Sequence, residues 1–239
     1  MTKIQAWFAL SRPPFHAVGV LPFFLGTILA YSEEGIFRLS VLIWGIAGVL
    51  LIMLATYYAG EYWDFQEDAI SARLAPSRFA GGSGVLQKGI VPRHVARNAS
   101  IVCLVLALGV GIMLQFVYRT GPWTLPLGML GLVGGFFYSA QPVRWVRTGY
   151  GELWIAFCYG WLPIAASFYL QAGYISPLVH WLSLPVGLTI FNVILLNEFP
   201  DHEADQAAGK KNILVRFGAS RASRLYALLS STSWILFVV

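Results

Sequence analysis

Charge is what this 239-residue chain has least of: Asp, Glu, Lys and Arg make up 11% of it, against 57% hydrophobic residues and a mean hydropathy of +0.67. A soluble domain carries about 25% charged residues, so a water-soluble globule is excluded. Cysteine is almost absent as well. Cys103 and Cys158 lie in separate apolar runs, which excludes a disulfide framework or a thiolate metal centre and leaves them as small buried hydrophobes. His16, His94 and His180 are isolated and read as packing or interface residues. No cleavable leader is expected either, because Lys3 and Arg12 bracket an apolar stretch too short for one. Thr2 to Leu10 therefore reads as a helix lying on a membrane surface.

What the chain does have is long apolar runs. At about 20 residues per membrane crossing, spans are expected at Phe15 to Tyr31, Leu39 to Gly60, Ala96 to Tyr118, Leu125 to Ala140, Glu152 to Ala172, Pro177 to Leu196 and Ser223 to Val239. Backbone groups in lipid must be satisfied within the spanning element, and these runs are too long for barrel strands. The predicted fold is an all-α, polytopic transmembrane helical bundle of seven spans, one domain over 1–239 embedded in a lipid bilayer. The chain stops inside the seventh span without a polar flank, so a truncated C-terminus is expected. With these spans, 14 of the 16 Lys and Arg fall on one side and only Arg38 and Arg119 on the other. The positive-inside rule then makes the amino terminus cytoplasmic, in a plasma or inner membrane if the source is prokaryotic. The net charge of +5 is thereby explained by orientation, and no nucleic-acid partner is implied.

Nine of the 11 acidic residues lie on that same basic side, and all of these but Glu152 fall in two segments with one pattern. Glu61-Tyr62-Trp63-Asp64-Phe65-Gln66-Glu67-Asp68 ends the second span and Glu198-Phe199-Pro200-Asp201-His202-Glu203-Ala204-Asp205 ends the sixth. In a helix the aspartates of each segment are four apart and share a face, where like charges repel unless a cation joins them. A single such segment is most simply a solvated helix end; a repeated pattern points to hard divalent cations, since Mg2+ is held by one or two carboxylates with waters and phosphate oxygens. Lys88, Lys210, Arg78, Arg144 and Arg216 lie in the same loops and supply donors for a diphosphate. Pro200 removes a backbone donor, so local unwinding is expected there.

These residues resemble the signature motifs of the UbiA superfamily of intramembrane prenyltransferases. The first is Asp64-x-x-x-Asp68 followed by Pro76 to Leu86 with its Gly81-Gly82-Ser83-Gly84; the second is Asn197-Glu198-x-x-Asp201-x-x-x-Asp205 followed by Gly209-Lys210. Arg12-Pro13, Tyr138 to Arg144 and Gly151-Glu152 match as well. The glycine run is most similar to the branch that prenylates 1,4-dihydroxy-2-naphthoate for menaquinone. The chain departs from the family in having Gly60 for Asn, Asn212 for Thr, and seven spans for nine.

The resemblance implies a Mg2+-dependent transfer of a prenyl group from a prenyl diphosphate to an aromatic acceptor, in a site facing the cytoplasm. Two Mg2+ ions would be held by Asp64, Asp68, Asp201 and Asp205, the catalytic set. Lys210, Arg78, Lys88, Arg144, Arg216, Tyr138, Asn197 and Arg12 would bind the diphosphate, and the Ala80 to Leu86 loop would close over the cavity. Other acceptors of the superfamily, 4-hydroxybenzoate or a tetrapyrrole, remain open, as does a cation-coupled transporter. Against the last, the carboxylates lie at span ends on one side, where an inverted repeat would put them on opposite sides. A membrane phosphotransferase with an Asp-Gly motif is disfavoured because Asp68 is followed by Ala69.

Overall fold

The computed structural model describes residues 1–74 and 81–238. Every regular element among them is helical. Helix α1 (Lys3–Leu10) starts from a capping box in which Thr2 and Gln5 satisfy each other's backbone donors. Ala6 and Leu10 are buried, while the apolar Ile4 and Phe8 are exposed on its outer face. Its inner face packs on Tyr58, Val85, Val91 and Ala96, so it lies against the bundle as well as along its edge. Arg12 then adopts a left-handed conformation, φ 49°, ahead of a single 3-10 turn.

The bundle is built from α2 (His16–Glu34), α3 (Leu39–Trp63), α4 (Phe65–Leu74), α5 (Arg93–Ile112) with a π-helical turn Met113–Val117, and α6 (Thr124–Ser139). It continues through the short α7 (Trp145–Thr148), then α8 (Gly151–Ala156), which runs through a second π-helical turn, Phe157–Trp161, into α9 (Leu162–Ala172). It ends with α10 (Pro177–Ala207), α11 (Ile213–Phe217) and α12 (Ala219–Val238). Among the described residues, five helical stretches are long and apolar enough to cross a membrane: Lys3–Glu34, Leu39–Trp63, Arg93–Val117, Gly151–Ala172 and Pro177–Ala207. The other two expected spans form helices but fall short of that measure. Thr124–Ser139 is too short, and Ala219–Val238 opens with Arg221 and Arg224 and carries a Ser/Thr run.

Small residues set the helix packing. A Cβ on Gly26 would lie 2.2 Å from the Ile164 carbonyl oxygen, so its absence lets α2 and α9 touch at backbone distance, beside a buried Thr27–Ser167 hydroxyl hydrogen bond of 2.7 Å. Gly160 meets Gly187 in the same way, joining the second π turn to α10. Leu21, Phe24, Ile28, Ile43, Val105 and Leu106 stay exposed on the outside. An apolar exterior around glycine-mediated contacts is the pattern of an integral membrane bundle, where lipid covers what water would reject.

Two local expectations are corrected. Pro200 does not unwind its helix: α10 runs unbroken through it to Ala207, carried by packing on α8, α11 and α12. The break falls instead in the first acidic segment, where Asp64 caps α3 at φ −93°, ψ 11° and α4 restarts at Phe65. Hydrogen bonds from the Asp64 and Asp68 amides to the carbonyls of Gly60 and Asp64, each 2.8 Å, carry the chain across it.

Candidate active site

Between α2, α3, α6, α8 and α10 lies a cavity of about 260 Å3. Asp64, Asp68, Asp201 and Asp205 all line it, with Arg12, Tyr138, Asn197 and Lys210. Positions 57, 60, 64 and 68 recur at helical spacing along α3 and into α4, so Tyr57, Gly60, Asp64 and Asp68 form one continuous wall. Deeper in, the lining is aromatic and apolar: Tyr57, Trp154, Ile155, Tyr159, Ile190 and Ile194. The cavity therefore has a charged mouth and a hydrocarbon-like interior.

Asp64 and Asp205 each have a cationic and a polar partner. Arg144, left-handed at φ 49°, donates to Asp64 at 2.7 Å and Glu67 at 3.0 Å, and Ser139 donates to the other Asp64 oxygen. Lys210 pairs with Asp205 at 2.7 Å while the Asn212 amide donates to the second Asp205 oxygen, also at 2.7 Å. Asp201 is buried, and its Oδ1 has no hydrogen-bond partner among the described residues. Burial pushes the Asp68 carboxyl up to about 8; Arg12 and Lys210 oppose the rise, and Glu61 and Asp64 add to it. Burial likewise raises Asp64 against the hydrogen bonds from Ser139 and Arg144. For Lys210, burial pulls downward but is outweighed by Asp205, Asp64 and Glu67, so the side chain remains a cation.

The other expected site residues separate into those the fold brings in and those it does not. Arg144 reaches the site through Asp64. Arg12 is committed to Glu61, at 3.1 Å, and to the Gly81 carbonyl, at 2.9 Å. Glu61, fully buried, also accepts from the Ser83 amide at 2.7 Å and hydroxyl at 2.9 Å, which fastens the glycine loop to the cavity rim. Lys88 and Arg216 are exposed and outside the lining. Lys88 follows the turn at Gly84, with its side chain alongside that glycine, and Arg216 lies over the Phe217 ring and against Gly149. Neither lines the cavity in this structure. Arg78 lies outside the described residues, as does the start of the Pro76 to Leu86 segment; Gly81 lines the cavity.

Sequence reasoning gave no role to Glu152, Glu198 or Glu67. Glu152 and Glu198 line the cavity and accept the first amides of α11, from Ile213 at 2.7 Å and Leu214 at 3.1 Å. They thereby fix the segment that carries Lys210 and Asn212. Glu67 stands behind Asp64 among three cations. Its position in the acidic segment was visible; its partners, distant in sequence, were not.

Among the described residues, no three His, Cys, Asp or Glu side chains stand close enough together to hold an ion unaided. The donor set nevertheless fits Mg2+, which takes few protein carboxylates and completes its shell from water and phosphate oxygens. It is all oxygen, and Asp201 presents an unsatisfied acceptor.

A helical membrane bundle with paired aspartates at the mouth of an apolar cavity defines the class of intramembrane prenyltransferases. The chain belongs to the UbiA prenyltransferase family, which it matches over residues 19–239. It is 28% identical over 234 residues to the 1,4-dihydroxy-2-naphthoate octaprenyltransferase of Bacillus subtilis, covering 97% of this chain and 72% of that protein. To the Escherichia coli protein of the same name it is 26% identical over 233 residues, covering 96% and 74%. Its fold is that of a UbiA homolog from Archaeoglobus fulgidus bound to GPP and Mg2+, with a TM-score of 0.74 at 20% identity, covering 98% of this chain and 76% of that one.

Proposed function

We propose that this enzyme transfers a prenyl group from a prenyl diphosphate to 1,4-dihydroxy-2-naphthoate, breaking the allylic carbon–oxygen bond to release diphosphate and forming a carbon–carbon bond to a ring carbon, which gives up its proton or its carboxyl group as carbon dioxide. The observation that carries this reading is the meeting of Asp64, Asp68, Asp201 and Asp205, from two segments far apart in sequence, at one cavity with an apolar interior. The similarity to two naphthoate octaprenyltransferases supports the choice of acceptor.

Asp64, Asp68, Asp201 and Asp205 would hold Mg2+, which would supply positive charge to the departing diphosphate. Lys210, kept cationic by Asp205, adds a charge-assisted donor where negative charge grows. Asn197 and Tyr138 offer polar atoms at the same mouth. The Arg12–Glu61–Ser83 network holds Gly81 against the rim and so helps to exclude water from the allylic centre. Trp154, Tyr159 and the isoleucines accept hydrocarbon and an aromatic ring. The amino terminus and the mouth of the cavity face the cytoplasm on this reading, which the distribution of Lys and Arg supports.

The test is a comparison of initial rates with Mg2+, one prenyl diphosphate and either 1,4-dihydroxy-2-naphthoate or 4-hydroxybenzoate. Faster prenylation of the naphthoate is expected. Preference for 4-hydroxybenzoate rejects the acceptor, and failure to prenylate any aromatic acceptor rejects the whole reading.

A further inference from the structure

Glu67 is a buried carboxylate at the edge of the site that the mechanism above leaves unused. It does not line the cavity, yet three cations converge on it: Arg144 at 3.0 Å, Arg147 at 3.2 Å and Lys210 at 3.9 Å. They come from two connectors, the one joining α6 to α8 and the one following α10. Two of the three already have a partner at the cavity, Arg144 with Asp64 and Lys210 with Asp205. Among the described residues, Arg147 has only Glu67 and the Ala208 carbonyl. One Glu67 oxygen, Oε2, is buried without a hydrogen bond, so this carboxylate is crowded by charge but incompletely satisfied.

The charges within this cluster balance. Arg144, Arg147 and Lys210 face Glu67, Asp64 and Asp205. Metal ions arriving at Asp64 and Asp205 would displace Arg144 and Lys210 from them, and Glu67 is the nearest carboxylate left to hold the freed cations. A diphosphate arriving at the mouth needs those same cations. We propose that Glu67 is an internal counter-anion: it gathers Arg144, Arg147 and Lys210 while the site is empty, competes with the diphosphate for them, and thereby eases release of the inorganic diphosphate product. Arg147 becomes a diphosphate-facing cation through this exchange. The proposal rests on the diphosphate reading of the site.

The sign of a charge-removal experiment distinguishes this role from simple structural support. Replacing Glu67 by its neutral isostere leaves the three cations facing two carboxylates, so the cluster gains net positive charge and loses its repulsion toward an incoming anion. A structural tie would behave oppositely, since losing it would scatter the cations and weaken binding.

The experiment measures binding of inorganic pyrophosphate, with and without Mg2+, to the full chain in detergent by titration calorimetry, for wild type, Glu67→Gln and Glu67→Asp. Glu67→Gln is expected to bind pyrophosphate about tenfold more tightly. It should be inhibited by pyrophosphate at correspondingly lower concentration during turnover, while its affinity for Mg2+ alone stays close to that of wild type. Glu67→Asp keeps the charge but retracts it, so a smaller tightening in the same direction is expected; it carries the test if the Gln variant does not fold. Unchanged or weaker pyrophosphate binding in the variants, with wild type binding normally, overturns the proposal and leaves the proposed function standing. If wild type itself binds no pyrophosphate even with Mg2+, the diphosphate reading fails and this role fails with it.

Discussion

The Arg144 guanidinium and the Asp64 carboxylate, 80 residues apart in sequence, meet at 2.7 Å. This contact links the first acidic segment to the connector after α6, and it places a cation on an aspartate that the proposed chemistry needs for metal. The same relation recurs between Lys210 and Asp205. Without ligands the site holds its carboxylates by internal ion pairing.

Asp64→Asn and Asp201→Asn are expected to lower turnover at least 100-fold, on the scale of removing a group that stabilises transition-state charge. Thermal stability should stay near that of wild type, because each substitution removes a buried negative charge from a crowded acidic site. Activity assays paired with thermal unfolding in detergent check both halves; full activity in both variants would reduce these aspartates to helix-end charges.

The pH dependence of metal binding should follow Asp68. Its folded value of about 8 lies above the ordinary carboxylate value of about 3.9. The metal-free fold therefore holds this proton more tightly than the unfolded chain does. The resulting stabilisation is complete below about pH 4 and is lost as pH rises through about 8. Mg2+ must displace the proton, so its affinity should climb between pH 6 and about pH 8 and then level off. Titrations in Asp68→Asn should lose most of that slope; a flat profile in wild type would contradict the assignment.

Gly82 tests the packing of the glycine loop. A Cβ there would fall 2.2 Å from Asp68 Oδ2 and 2.6 Å from its Cγ, so Gly82→Ala must move Asp68 or the loop. At least a tenfold loss of Mg2+-dependent turnover is expected, with the chain still inserted and folded. Gly84→Ala, at φ +72° with no neighbour closer than 4.0 Å, should cost about 1 kcal/mol of stability from backbone strain and much less activity.

Lys210→Met should abolish turnover, whereas Lys88→Ala and Arg216→Ala should keep at least half of it. Steady-state rates with saturating prenyl diphosphate decide the matter. Strong loss in either exposed variant would mean that the loops rearrange around substrate.

Glu61→Ala is expected to destabilise the protein by about 3–5 kcal/mol, because it strands the Arg12 guanidinium and the Ser83 donors at a buried site. Chemical denaturation in detergent would show it, and Glu61→Gln should recover part of the loss by keeping one acceptor.

Most of the bundle was legible in the sequence because apolar runs of membrane length have few alternatives. The helices at His16–Glu34, Leu39–Trp63 and Gly151–Ala172 begin and end within a few residues of the expected bounds. The end of α10 was not legible: Pro200 argued for a break, and tertiary packing on α8, α11 and α12 overrode it. For the site, spacing was enough to single out the four aspartates. It could not separate Lys210 from Lys88 or Arg216, since a basic loop residue is drawn toward a cavity or away from it only by where its connector docks. Gly149, whose Cβ would meet the Lys211 carbonyl at 2.4 Å, packs one connector onto the other, and no local pattern announces that.

Helix α10 has 31 residues, about 46 Å at 1.5 Å per residue, against a hydrocarbon layer about 30 Å thick. It is long enough for its acidic end to reach past the lipid tails while its middle stays among them. For the proposed transfer, this length makes the protein a junction between two phases: the inorganic diphosphate is set free into water and the prenylated ring is left in oil. Once the two products have partitioned apart they rarely meet again at one site, and the forward direction is favoured by separation as well as by bond energies.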